Sequence, residues 1–304
     1  MDRFFLLLVL GLILSSGLES CKENNRSKTM EIKKYDFDLQ GHRGARGILP
    51  ENSLVGFQKA IDLNVNTLEL DVVISKDSMV VVSHDAIMNP KICLDKNSDK
   101  ITKATDYNLY KMNYKDIKAF DCGSLQHPDF PNQKSTQTHK PLLTEVIQMT
   151  TQNLREKGRR VSLNIELKSS PETDDLYHPK PKVFVDLVMK TISNELIPLT
   201  KINLQSFDKR ILRYTIENYP QISVAYLVEE GSFYDNIQDL GKTPQIYSPH
   251  YTLVNSNDIQ RAHDSGVKVI PWTVNDMNIM QDLLEMGVDG IITDYPNLAN
   301  AFQQ

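Results

Sequence analysis

Cysteine is nearly missing from this chain. There are three in 304 residues, Cys21, Cys93 and Cys122, too few for a disulfide scaffold and without the paired spacing of a structural zinc site. Tryptophan is rarer still, with Trp272 alone. No stretch gathers lysine and arginine with interleaved aromatics, and 34 basic against 39 acidic residues leave a formal net charge of −5. That balance argues against nucleic acid and other polyanionic partners. No apolar run is long enough to span a membrane as a stable helix, that of Phe4 to Leu14 included. What is present is an ordinary globular mixture, 40% hydrophobic and 24% charged, which excludes disordered and collagenous classes and can build a core. The length admits two domains or one α/β barrel of about 250 residues, so pattern must decide.

Residues 1–20 have a charged start (Asp2, Arg3), an apolar middle from Phe4 to Leu14 and a small-residue end, the make-up of an export signal. Leu18-Glu19-Ser20-Cys21 resembles a bacterial lipoprotein cleavage box, with Glu19 departing from the usual small residue. Cys21 is therefore read as a lipidated N-terminus, residues 21–35 as a polar tether, and the protein as exported and lipid-anchored at the bacterial cell envelope. Soluble secretion with Cys21 incidental is the alternative.

From residue 36 to 304 short apolar or β-branched runs alternate with helical periodicities, an α/β signature. Strands are predicted over 37–41, 67–74, 79–83, 161–167, 202–205, 222–227, 245–248, 267–273 and 290–293. Leu54, Phe57 and Ile61 share one helical face, as do Leu143, Ile147 and Leu154, then Val183, Leu187 and Ile192, and the group Ile279, Met280, Leu283 and Leu284. Asn275 or Asp276 can cap the helix that Gly287 ends, and Asn64 suits a left-handed turn. Nine strands are one more than an eight-stranded barrel uses. Only four residues separate 67–74 from 79–83, too few for a crossover helix, so an irregularity is expected near the second and third strands. Residues 86–140, polar, proline-broken and without sustained period, read as one long insertion.

Leu68-Glu69-Leu70-Asp71-Val72 puts two carboxylates on one face of a strand, and Asn164-Ile165-Glu166-Leu167-Lys168 repeats the arrangement with Glu166 and Lys168. In a barrel the apolar face meets the helices and these charges project inward. Buried carboxylates need a partner. Glu69, Asp71 and Glu166 form an all-oxygen set suited to one divalent cation, Ca²⁺ or Mg²⁺, or they close a salt-bridge network with Arg43 and Lys168. His42 follows the first strand and His84 the third. Two histidines beside a cation and the planar fork of Arg43 fit acid–base chemistry at a phosphate.

Gly41-His42-Arg43-Gly44, Pro50-Glu51-Asn52-Ser53, the two acidic strands, Val82-Ser83-His84-Asp85, Ser206-Phe207, Trp272-Thr273-Val274-Asn275 and Asp289-Gly290-Ile291-Ile292-Thr293-Asp294-Tyr295-Pro296, in that order, resemble the glycerophosphodiester phosphodiesterase family. The resemblance spans Gly41 to Pro296. It implies a TIM (β/α)8 barrel with a segment inserted after the second histidine motif, where 86–140 falls. His42 and His84 would be the general acid and base, Glu69, Asp71 and Glu166 the metal ligands, and Arg43 and Lys168 the phosphate grip. Glu51 would be a further acid of the site, and Trp272 would lie against the glycerol end unless it is core packing. The implied activity is metal-dependent hydrolysis of glycerophosphodiesters to glycerol 3-phosphate and an alcohol. Two rivals are a phospholipase C- or D-like barrel acting on intact or lyso lipids, and a ligand-binding surface lipoprotein without turnover; a mere binder has no use for two proton-transfer groups. Cys93 and Cys122 share the insertion and could pair, and His127 and His139 read as surface residues. Head-group preference and oligomeric state are not legible.

Overall fold

The structure is a computed structural model, and residues 33–304 are described. The signal segment, Cys21 and most of the tether lie outside the described residues. In chain order the strands are β1 Asp38–Gly41, β2 Thr67–Ile74, β3 Val80–Val82, β4 Ser162–Leu167, β5 Ile202–Ser206, β6 Ser223–Val228, β7 Ile246–Pro249, β8 Lys268–Val269 and β9 Gly290–Thr293. The helices are α1 Leu54–Asp62, α2 Tyr114–Ile117, α3 Leu143–Lys157, α4 Pro181–Ser193, α5 Lys209–Asn218, α6 Phe233–Leu240, α7 Ser256–Asp264, α8 Met277–Met286 and α9 Pro296–Ala299.

Eight strands run parallel in the order β8-β7-β6-β5-β4-β2-β1-β9. The Asp289 and Ile292 N–H groups donate to Val269 O at 2.9 Å and Pro271 O at 3.0 Å, joining the two ends into a TIM barrel. The ninth predicted strand is resolved by β3, which pairs antiparallel with β2, Val72 opposite Val82. Ser78, at φ 63°, turns the chain between them, and β3 stands outside the ring, paired only to β2. Residues 267–273 form a strand over only two positions, because Pro271 has no N–H to offer a ladder.

Helix punctuation follows side-chain chemistry. Ser53 caps α1 by accepting from Gly56 N at 3.1 Å, and Asp276 caps α8 through Asn278 N and Ile279 N. Gly287 at φ 95° ends α8, and Asn64 at φ 63° follows α1. Phe57, Ile61, Leu143, Ile147, Met280 and Leu283 are buried between barrel and helices. One stripe differs from expectation. On α4 the buried face is Phe184, Val185, Val188, Met189 and Ile192, while Val183 is 48% exposed; the apolar run is wider than one face, and spacing alone picked its edge.

The insertion 86–140 has a core of its own. Met88, Ile92, Ile101, Leu109, Ile117 and Phe120 bury with Val73 and Val81 of the hairpin, and Cys93 is bonded to Cys122. A second small core thus grows on β2 and β3, built from residues too scattered to show a period. Closing a loop with a sequence separation of 29 removes chain entropy worth roughly 3–4 kcal/mol. Replacing both cysteines with serine is expected to lower the melting temperature and to raise hydrogen exchange first within 86–140; unchanged exchange there would show that the apolar cluster suffices without the bond.

Candidate active site

Parallel strands deliver their carboxyl ends to one rim, and β1, β2, β4, β5, β6, β8 and β9 each place a side chain there. His42, Arg43, Glu69, His84, Glu166, Lys168 and Trp272 line one cavity of about 320 Å³ together with Arg46, Gln205 and Phe207. Register explains the acids. Asp71 is paired with Glu166 and Glu69 with Asn164 across β2 and β4, so the period-two pattern of each strand becomes one cluster. A ligand oxygen from each of Glu69, Asp71 and Glu166 lies within 4.8 Å of the others, all three residues buried.

Two readings of this cluster, charge network or cation site, separate on its hydrogen bonds. Asp71 does pair with Arg43 Nε at 3.3 Å and Lys168 Nζ at 3.7 Å, and Glu166 with Lys168 at 2.7 Å. Glu69, however, has no cationic side chain within ion-pair distance among the described residues; it accepts from Arg43 N at 2.9 Å and Gln205 Nε2 at 2.7 Å. Asp71 Oδ1 is buried without a hydrogen-bond partner. Three carboxylates against two cations leave one negative charge unbalanced in a low-dielectric interior. Burial pushes the Glu69 carboxyl well up, and repulsion from Asp71 and Glu166 adds to it. Glu166 is raised by burial and by Asp71 despite Lys168, while Asp71 is held low against its burial by Arg43 and Lys168. A divalent cation would turn that −1 into +1, matching a singly charged phosphodiester. The residues fit a hard cation.

Backbone conformation aims these groups. Arg43 itself sits at φ 50° and Gly44 at φ 93°, and a Cβ at Gly44 would fall 2.8 Å from the Gly56 carbonyl carbon. The tight turn holds the Arg43 N–H on Glu69, strain of the kind kept at functional sites. Asn52, at φ 51°, donates to Asp71 Oδ2 at 2.8 Å and accepts from Asp71 N at 3.2 Å, which leaves Oδ1 for the cluster. Glu51 does not face the cavity. It lies behind, accepting from Arg43 Nη1 at 2.9 Å and Arg46 Nε at 2.6 Å, so it holds the Arg43 guanidinium in place. His127 backs it at 3.6 Å and is buried, contrary to the surface position expected of it; His139 is half-buried.

Each candidate acid–base histidine carries a carboxylate on its far nitrogen. His42 Nδ1 is 2.7 Å from Asp294 Oδ1, and His84 Nδ1 is 2.9 Å from Asp85 Oδ1. An ionised carboxylate accepts a hydrogen bond from Nδ1–H, which keeps the proton there and fixes the tautomer that presents Nε2 to the cavity. Asn275 donates to Asp294 Oδ2 at 2.7 Å and Asn89 to Asp85 Oδ2 at 2.7 Å, steadying both. Burial lowers the His42 pKa, Asp294 raises it, and Arg43 lowers it further. Sequence reasoning gave Asp85, Asn89 and Asp294 no role and Asn275 only that of a candidate helix cap, which Asp276 fills instead. The legible signal was a carboxylate at a strand's carboxyl end, or next in chain to a rim histidine. Asp294→Asn is expected to lower kcat on the order of a hundredfold and to move the acid limb of the pH–rate profile to lower pH, since it removes the carboxylate that raises the His42 pKa; an unmoved limb would place His42 outside the chemistry.

Trp272 is half-buried in the cavity wall, its Nε1 donating to Ser248 O at 2.8 Å and its ring edge-on to Phe207 at 5.4 Å. Beneath the acids Asn164 donates to Gln40 Oε1 at 2.8 Å and Gln205 Oε1 at 2.9 Å, so Gln205, also missed in the sequence, is fixed to hold Glu69.

Comparison with known proteins places the chain in a family. The model of the glycerophosphoryl diester phosphodiesterase family matches residues 42–298. A glycerophosphodiester phosphodiesterase of Bacillus subtilis is 27% identical over 266 residues, covering 84% of this chain and 83% of that one. A Silicibacter pomeroyi protein assigned to the glycerophosphoryl diester phosphodiesterases superimposes with a TM-score of 0.77 at 28% identity, over 88% of this chain and 94% of its own. A phosphodiesterase of Oleispira antarctica, solved with its product sn-glycerol-3-phosphate, shares the fold with a TM-score of 0.67 at 21% identity, over 87% and 96%. With the family model spanning the barrel from the first histidine onward, the chain belongs to the glycerophosphoryl diester phosphodiesterase family, an enzyme of the phosphoric diester hydrolase class.

Proposed function

We propose that the enzyme hydrolyses glycerophosphodiesters to glycerol 3-phosphate and a free alcohol, with His42 and His84 exchanging protons across one phosphorus centre. The observation that carries this reading is the pair of carboxylate-backed imidazoles lining the cavity that also holds Arg43, Lys168 and the acidic cluster. Glu69, Asp71 and Glu166 would hold one divalent cation, Ca²⁺ or Mg²⁺, which when bound offsets charge on the phosphoryl oxygens and the attacking oxygen.

Arg43 Nη1 is engaged by Glu51, while Nη2 makes no hydrogen bond to the described residues and is left for a phosphoryl oxygen; Lys168 supplies a second positive group. The glycerol hydroxyl next to the ester attacks phosphorus and gives its proton to one imidazole. The bond to the leaving alcohol breaks, and that oxygen takes a proton from the other imidazole. Water then opens the resulting cyclic phosphate with the two roles reversed, so both histidines return to their starting states. Trp272 and Phe207 present an apolar wall to the glycerol carbons.

The substrate is a small soluble molecule. Export and lipidation at Cys21, placing the enzyme at the bacterial envelope, belong to the same proposal, and the Cys93–Cys122 bond suits an oxidising compartment. Release of glycerol 3-phosphate from a panel of glycerophosphodiesters, with lysolipid as the competing substrate, tests the reading; preference for lysolipid would favour the phospholipase D alternative, and no turnover of any ester would favour a binder.

A further inference from the structure

Beside the first cavity lies a second, of about 390 Å³, and the two share His84, Glu166, Lys168 and Phe207. The phosphate centre thus stands between two hollows, as a diester with two ester arms requires. The far wall of the second is made by Ala86 and Ile87 at the start of the insertion and by Tyr177 in the segment after β4.

Those walls are built and mutually locked. Asn108 Nδ2 of the insertion donates to Leu176 O at 2.9 Å, and Lys111 Nζ to Asp175 O at 3.1 Å. Arg210 grips Asp174 with two bonds at 2.7 and 3.0 Å. Buried His178 accepts from Ser170 N at 3.1 Å and meets Thr173 Oγ1 at 2.8 Å. A hollow held this way needs little ordering on binding.

Its carboxylates and its serine and threonine hydroxyls already have partners. Asp85 gives one oxygen to His84 and the other to Asn89, Glu166 takes Lys168, Ser169 bonds Asp208 at 2.7 Å and Ser170 bonds Thr173 at 2.8 Å. Ala86, Ile87 and the rings of Tyr177 and Phe207 are left to meet an occupant, while the two carboxylates lining the hollow are already engaged, Asp85 by His84 and Asn89 and Glu166 by Lys168, so that neither is left without a partner for an ammonium group. Desolvating such a cation there carries a cost that the rings of Tyr177 and Phe207 offset only in part, whereas an apolar body gains from burial.

We propose that this second hollow receives the leaving alcohol and selects uncharged, apolar-bodied arms over ammonium-bearing ones. The inference rests on the diester hydrolysis proposed above. It is tested by measuring kcat/KM of the full chain, with divalent cation, on the glycerol 3-phosphate esters of ethanol, n-hexanol and choline. Ethanol and n-hexanol leave with nearly equal basicity, so a difference between them reports binding. The hexyl ester is expected to exceed both others by roughly tenfold. Tyr177→Ala should shrink the hexyl-to-ethyl ratio at least fivefold, and Ile87→Asp should reverse the hexyl-to-choline ratio by supplying the missing carboxylate; comparison with the wild-type ratio cancels leaving-group chemistry. A flat profile, a wild-type preference for the choline ester, or ratios unmoved in both variants overturns the subsite and leaves the hydrolase reading standing. Turnover of none of the three esters overturns the hydrolase reading and this one with it.

Discussion

Replacing His42 or His84 with alanine is expected to lower kcat for glycerophosphocholine by roughly a thousandfold, since one positioned acid or base contributes about 10²–10⁴, while the far-ultraviolet spectrum and melting temperature stay near those of the parent. The reason lies in where each ring sits. His42 is anchored to Asp294 and His84 to Asp85 by Nδ1 alone, both line the cavity, and neither is part of the apolar layer between barrel and helices. Removing an imidazole therefore takes away a proton carrier without opening a hole in the packing. Because each step needs one base and one acid, the double variant should be little worse than either single one, the non-additivity of groups that act as a unit. Near-parental turnover in either single variant would end the two-histidine scheme, and strictly additive losses would mean that the rings act independently.

Why the centre of this site could be read from the chain and its surround could not is a matter of range. Glu69 and Asp71 two apart, and Glu166 and Lys168 two apart, announce themselves because a strand repeats every two residues and charged side chains do not belong in a barrel interior without a task. The β2–β4 register that sets Asp71 beside Glu166 then follows from the fold class. The partners Asp294 for His42 and Gln205 for Glu69 are 252 and 136 residues distant, and neutral amides such as Asn164 and Gln205 carry no charge pattern to betray burial. Glu51 sits one layer back. An acid in a motif dense with site residues looks like a site residue, but its two oxygens are consumed by Arg43 and Arg46. The insertion's own core was out of reach for a physical reason too: it is closed by a disulfide and by single apolar residues on short turns, which leave no helical or strand period. The β3 hairpin, by contrast, was foreseeable as an irregularity, because four residues cannot cross over a sheet.

Removing divalent cations should abolish turnover, and either Ca²⁺ or Mg²⁺ should restore it, with calorimetry giving one site per chain. Binding to the folded state alone stabilises it by mass action, about 2.7 kcal/mol at a cation concentration a hundred times Kd, so the melting temperature should rise on cation addition and fall back with chelator. Glu69→Gln distinguishes a cation site from a structural charge network. In a network, deleting one member of a buried ion pair strands its partner at a cost of about 3–5 kcal/mol. Glu69 has no cationic side chain within ion-pair range among the described residues, and burial, with repulsion from Asp71 and Glu166, already disfavours its charge. Its neutral replacement keeps an oxygen for the Arg43 N–H, and turning the Gln205 amide costs about one hydrogen bond, roughly 1 kcal/mol. The variant's cation-free stability should thus lie within about 1 kcal/mol of the parent's, while cation affinity falls by at least the tenfold to hundredfold that even outer partners of a metal ligand are worth. A large loss of cation-free stability with affinity and turnover retained would reassign the three acids to holding the barrel together.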